Sequence, residues 1–247
     1  MGAIKAVTFD CWGTLITDSD LEKASAARTQ AIVDYTGLEF ERAQELFQRG
    51  WEKHHHSWLG GIQYGSEGIA LYCVTELGID DDMVRERLTE AFEEAGRHGT
   101  LRPLDGAPDT LRALREAGIR TALVCDTGLT PGRVVREFLD EAGCLEHLEF
   151  CAFSNEVGVP KPDPRIFRAA LDAIDSKPEE AVHVGDLLRT DIEGGRDMGM
   201  KTIRITDVND DMTSRFSGPA DNVIDADAVV ASHRDMIGAL RELGAAI

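Results

Sequence analysis

The 247-residue sequence predicts an α/β protein with a parallel sheet covered by helices on both faces and interrupted once by an all-helical segment. Three observations carry this. Short apolar runs alternate with amphipathic helical patterns from about Thr110 onward, an order that places parallel strands in one sheet. A long stretch near the N-terminus contains no convincing strand. Hydrophobic residues make up 43% of the chain, enough for a well-packed interior.

The first run, Ile4–Phe9, carries threonine and valine, favours a buried strand and ends in Asp10. Comparable runs are Thr121–Cys125, Phe150–Phe153, Ala181–Val184 and Thr202–Ile205, with a shorter one at Asn222–Ile224. Between them, Leu111, Leu114 and Ile119 with their charged neighbours predict one helix. Val134, Val135, Phe138 and Leu139 follow Pro131, and Ile166, Phe167, Ala170 and Leu171 follow Pro164; proline suits a helix's first turn. Asp227 to Leu243 reads as a closing helix. From about Asp18 to Arg102, four helical stretches can be drawn (20–35, 39–58, 66–77 and 82–97), punctuated by Gly37, Gly60, Gly61, Gly78 and Gly99. The chain therefore divides into an α/β core, 1–17 and 103–247, and a helical insertion, 18–102.

The net charge is −19. A field of that sign repels nucleic acid and anionic membranes, and no apolar run reaches the ~18 residues that would cross a bilayer. It repels an anionic substrate as well, so a site for one needs local positive charge. The five cysteines include no CxxC pair and read as reduced thiols. With no signal-peptide pattern, the expectation is a cytoplasmic enzyme, monomer or homodimer, acting on a small molecule.

In an open parallel sheet, ligands bind beyond the carboxyl ends of the strands. The first strand ends in Asp10, followed by Cys-Trp-Gly-Thr-Leu. The second ends at Cys125-Asp126-Thr127. The third leads to Lys161-Pro162-Asp163-Pro164. The fourth ends in Gly185-Asp186, with Asp191 five residues on. Clustered carboxylates repel unless a cation sits among them, and a sheet edge without chemistry needs no such set.

These four motifs, VTFDCWGTL, ALVCDTG, KPDP and HVGDLLRTD, occur in the order and at the strand ends of the haloacid dehalogenase-like hydrolases. The chain resembles that superfamily over nearly its whole length, with the helical insertion where the family carries its α-helical cap. The resemblance implies a Rossmann-like parallel sheet in the order 3-2-1-4-5. It implies attack by Asp10 on the substrate to give a covalent intermediate that water hydrolyses. In phosphatase members Mg2+ is held by the nucleophile, here Asp10, by the backbone carbonyl two residues on, here Trp12, and by the strand-four acid, here Asp186, with Asp191 as second acid. Lys161 neutralises charge, Cys125 or Thr127 fills the motif-two position, and Trp12, Gly13 and Thr14 line the substrate side.

Two positions depart from the phosphatase pattern. Trp12 stands where phosphatases carry an acid/base aspartate, and an indole can neither protonate a leaving group nor activate water. Cys125 stands where the family has serine or threonine, with Thr127 two residues on. An aromatic at position 12 is similar to the 2-haloacid dehalogenases, whose cap also resembles Trp51–Leu59. Those enzymes work without metal and lack the acid pair kept here; Arg49 is out of register for their halide-binding arginine, and Phe167 replaces their tyrosine. The readings are thus a Mg2+-dependent phosphohydrolase first, a metal-independent dehalogenase second, and a binding protein without turnover third. His54, His55 and His56 point about 100° apart on a helix and cannot share one metal. They are expected at the surface, with one facing the site as a replacement proton donor the alternative.

Overall fold

The computed structural model describes residues 3–209 and 226–247. In chain order it contains β1 (Ala6–Phe9), β2 (Ile16–Asp20), α1 (Glu22–Thr36), α2 (Phe40–Leu59), α3 (Gly65–Glu76), α4 (Asp82–Glu94) and β3 (Thr100–Pro103). Then follow α5 (Ala107–Glu116), β4 (Arg120–Cys125), α6 (Gly132–Glu141), β5 (Phe150–Phe153), α7 (Ser154–Val157) and α8 (Pro164–Ala173). The last are β6 (Ala181–Gly185), α9 (Glu193–Asp197), β7 (Lys201–Ile205), β8 (Ala228–Val230) and α10 (His233–Glu242).

The main sheet has the order β5-β4-β1-β6-β7-β8, and every pairing described in it is parallel. This is the expected 3-2-1-4-5 arrangement with a sixth strand added at one edge. Central strands bury both faces, which is why β1 and β4 read as continuous apolar runs. On one face of the sheet, Ala122, Val124 and Ala152 pack against Ile166, Phe167 and Leu171. α8 starts where the sequence dictates: Pro164 lacks the N–H that a first turn leaves unpaired, and the Asp163 carboxylate accepts from Arg165 N at 2.9 Å.

Contacts divide the chain into two compact units: Met1–Thr17, Arg102–Asp126 and Glu137–Ile247 in one, Asp18–Leu101 and Thr127–Arg136 in the other. The second has its own core, with Ile32, Leu46, Ile69, Leu88, Phe92 and Leu129 buried together. Its helices fall close to the expected stretches.

Four details differ from the sequence reading. The span 18–102 was expected to hold no strand, yet β2 and β3 lie at its borders and pair with each other; the polar run Ile16–Asp20 hides its strand character. Residues 127–136 group with the helical unit, whereas the sequence places them in the α/β part. Ile119 is buried beyond the end of α5, where Gly118, at φ +75, breaks the helix. The closing segment is not one helix: β8 occupies Ala228–Val230, and α10 begins only after Ser232, whose hydroxyl accepts from Arg234 N. The strand expected at Asn222–Ile224 lies outside the described residues.

Candidate active site

The site forms at the carboxyl end of the sheet, within the α/β unit. β1 continues one residue beyond its last strand position, where Asp10 N donates to Val184 O at 2.8 Å. Asp10 is thereby held beside the end of β6, from which Asp186 projects. The side chains of Asp10, Asp186 and Asp191 each offer one oxygen, and these oxygens lie within 4.8 Å of one another. All three residues are buried, Asp191 completely. Lys161, 2% exposed, sends its ammonium into the group. Its Nζ donates to Asp10 Oδ1 at 2.5 Å and to Asp191 Oδ1 at 2.6 Å.

The loop after Asp10 is tightly made. Cys11 O accepts from the amides of Leu15 and Ile16, and Ile16 O accepts from Gly13 N. Gly13 adopts φ +76, and a Cβ there would stand 2.5 Å from Asp186 Oδ2. Only glycine allows both the left-handed turn and the close approach. Thr14 is fully buried; its carbonyl accepts from His233 Nε2 at 2.7 Å, and its hydroxyl has no hydrogen-bond partner among the described residues. Trp12 is half-buried.

Electrostatics follow from this crowding. Burial, joined by the charges of Asp191 and Asp186, raises the Asp10 carboxyl well above the carboxylate range, although Lys161 opposes it. Burial and the Asp191 charge push Asp186 up to about 7. Burial also works against an ionised Asp191, but the Lys161 ammonium and the His183 hydrogen bond outweigh it and hold its pKa below the usual range. Burial alone would depress Lys161; the charges of Asp10 and Asp191 reverse this and raise it. One ammonium among three carboxylates leaves excess negative charge. For Asp186 the shift is about 4 kcal/mol in favour of the neutral form at ~1.4 kcal/mol per pKa unit, a cost that a divalent cation would offset.

The residues fit such an ion. Their donor set is all oxygen, which suits a hard cation, and glycine at 13 leaves open the volume beside Asp186 that a Cβ would fill. Asp10 and Asp186 are the better donors. Asp191 is already engaged at both oxygens: Oδ1 accepts from Lys161 and from His183 Nε2 at 3.2 Å, and Oδ2 from Leu187 N at 3.1 Å and Thr190 Oγ1 at 3.2 Å.

The two motif-two candidates differ in setting. Cys125 is fully buried at the end of β4, its thiol 3.6 Å from the Asp126 carbonyl, and burial raises its pKa. Thr127 falls in the helical unit, where its carbonyl accepts from Gln63 Nε2 at 3.0 Å. The residue of this segment that meets the lysine segment is Asp126, whose Oδ1 accepts from Lys161 N at 2.8 Å. Sequence reasoning passed over it, together with His183 and Asn209. His183 left a signal, a polar residue inside the apolar run Ala-Val-His-Val. Asn209, whose Nδ2 donates to Asp186 Oδ2, left none.

The three histidines separate. His56 is exposed and His55 half-buried, but His54 is buried, against the expectation of a surface run. Its Nδ1 accepts from Gly65 N at 3.2 Å, and burial lowers its pKa to about 4.

A strand-end aspartate against a buried lysine, with two further acids from the segment that follows the fourth strand of a parallel sheet, defines a hydrolase of one family. The haloacid dehalogenase-like hydrolase model matches residues 4–199, and the chain belongs to that family. Among curated proteins, it is 36% identical over 233 residues to the phosphoserine phosphatase of Thermus thermophilus, covering 81% of this chain and 88% of that protein. It is 31% identical over 207 residues to the glyceraldehyde 3-phosphate phosphatase of Methanopyrus kandleri, covering 82% and 84%. Its fold matches the crystal structure of a 2-haloacid dehalogenase from Pseudomonas syringae pv. Tomato DC3000, with TM-score 0.66 at 22% identity over 97% and 99% of the two chains.

Proposed function

We propose that this hydrolase cleaves a small phosphorylated compound in a Mg2+-dependent reaction, with Asp10 as nucleophile. The observation that carries the reading is the buried trio Asp10, Asp186 and Asp191 with Lys161 as its ammonium. A dehalogenase that works without metal has no need of Asp186. The phosphatase names of the two sequence relatives support the same choice.

Asp10 attacks phosphorus through one carboxylate oxygen as the bond to the leaving oxygen breaks, giving an aspartyl phosphate. Water then attacks that phosphorus, returning the carboxylate and releasing phosphate. Lys161 neutralises the charge that builds on the transferred oxygens and, against burial and the neighbouring carboxylates, favours the ionised form of Asp10 that attacks. Asp10, Asp186 and the Trp12 carbonyl would hold the ion, which when bound supplies Lewis-acid stabilisation of the phosphoryl oxygens. Trp12 offers no proton to the leaving group. Alkyl phosphates therefore forgo on the order of 10²–10⁴-fold, whereas leaving groups stable as anions lose little.

The aromatic Trp12 favours a second reading, a dehalogenase in which Asp10 displaces halide from a short 2-halo acid. One assay separates the two: p-nitrophenyl phosphate and alkyl phosphates beside L-2-chloropropionate, each with Mg2+ and with EDTA. Phosphate release that stops in EDTA and favours the aryl ester is expected. Chloride release indifferent to EDTA would overturn the first reading.

A further inference from the structure

A row of buried side chains runs from β1 across β6 to Asp10. Thr8 Oγ1 lies 2.8 Å from His183 Nδ1, and His183 Nε2 lies 3.2 Å from Asp191 Oδ1. Lys161 Nζ meets that same Asp191 oxygen and continues to Asp10 Oδ1. Chemistry fixes the direction of each link. The Asp191 carboxylate, paired with Lys161, only accepts, so His183 Nε2 carries the proton and donates. Nδ1 of the neutral ring then accepts, and the Thr8 hydroxyl donates to it. Burial lowers the His183 pKa despite Asp191 and so favours the neutral ring.

The ring has no freedom to serve otherwise. His183 is completely buried. Phe167 meets it edge to face, with centroids 5.0 Å apart and planes at 83°. A Cβ at Gly195 would come within 3.1 Å of its own Cβ. Asp191, with four donors on its two oxygens, has every lone-pair direction filled. Such a carboxylate is built to hold a cation in one place.

We propose that His183 is a positioning residue: through Asp191 it fixes the Lys161 ammonium against Asp10, touching neither Asp10 nor substrate. The kinetic consequence rests on Asp10 acting as proposed above; the placement of Lys161 does not.

Two substitutions separate the ring from its hydrogen bond. His183→Gln can set an amide N–H where Nε2 lies but gives up the ring. His183→Phe keeps a ring against Phe167 but donates nothing. A residue that merely fills space would tolerate Phe better; a residue that orients Asp191 would tolerate Gln better. Crystal structures of both variants are expected to show Lys161 Nζ within hydrogen-bond distance of Asp10 in H183Q and displaced in H183F. With p-nitrophenyl phosphate and Mg2+, kcat should fall about 10–100-fold in H183F, the usual cost of losing a partner behind the reacting groups. KM should stay within about two-fold, and H183Q should recover most of the loss. Should H183F fail to fold, Thr8→Val releases Nδ1 while leaving the ring, and a smaller fall in kcat at constant KM is expected. Lys161 undisturbed in H183F, H183Q as impaired as H183F, or an unchanged kcat in T8V would overturn the proposal. A wild-type protein inert to phosphate esters, with the crystal structures as expected, would overturn the phosphatase reading and support the positioning role.

Discussion

Gly13 sits where the backbone turns left-handed and passes directly under the Asp186 carboxylate. Gly13→Ala adds a methyl group at that contact and strains the turn. A loss of about 1–3 kcal/mol in unfolding free energy is expected, with activity falling far more than stability because Asp186 must move. Urea unfolding and kcat measured on the same preparation check this; an active alanine variant would mean that Asp186 need not hold its place. His54 gives a prediction in pH. Its pKa is about 4 in the folded chain and near 6.5 when unfolded. Between those values the unfolded chain binds the additional proton, so stability falls as pH falls through that window. From pH 7 to pH 5 the His54 contribution is about 2 kcal/mol. Asp186, with its raised pKa, changes stability in the opposite direction over part of this range. The difference between wild type and His54→Gln therefore isolates the histidine. A difference independent of pH would show that His54 is not held neutral by burial.

At the scale of elements, legibility followed from how each segment earns its burial. β1, β4 and β6 lie in the middle of the sheet, so both faces are buried and their mostly apolar sequences announce them. β2 is mostly polar, Ile-Thr-Asp-Ser-Asp, and pairs with β3 in a two-stranded ribbon, so neither periodicity nor hydrophobicity marks it. β8 spans three residues with a single buried side chain, Val230, and vanished into the helix that follows. Asp10, Lys161, Asp186 and Asp191 were legible because each sits in one of the motifs through which the chain resembles its family. Asp126, His183 and Asn209 were not, since their roles are pairwise contacts between segments 23 to 35 residues apart or, for His183 and Thr8, across 175 residues. α8 shows how local signals position a distant one: Asp163 and Pro164 start the helix two and three residues after Lys161. Asp163→Ala removes the cap and is expected to cost about 1 kcal/mol, read by chemical denaturation. A stability unchanged by the substitution would mean that Pro164 alone sets the helix start.

Over the whole molecule, the formal charge of −19 surrounds a site that is proposed to take an anion. At low ionic strength that field repels the substrate. Salt shortens its reach from about 30 Å at 0.01 M to about 8 Å at 0.15 M. The value of kcat/KM for a phosphate ester is therefore expected to rise with salt over this range; a steady fall would show that local positive charge governs approach. Among the described residues, no helix is long and apolar enough to cross a membrane. The proposed mechanism turns on Asp10, so the decisive measurement is made there. Wild-type protein is mixed with p-nitrophenyl phosphate and Mg2+, quenched in acid within the first turnover, digested, and its peptides weighed. A phosphoryl group on the peptide carrying Asp10, absent in EDTA and absent from Asp10→Asn, is the expected result. Rapid Mg2+-dependent turnover with no label at Asp10, or full turnover by D10N, would contradict the assignment of Asp10 as nucleophile.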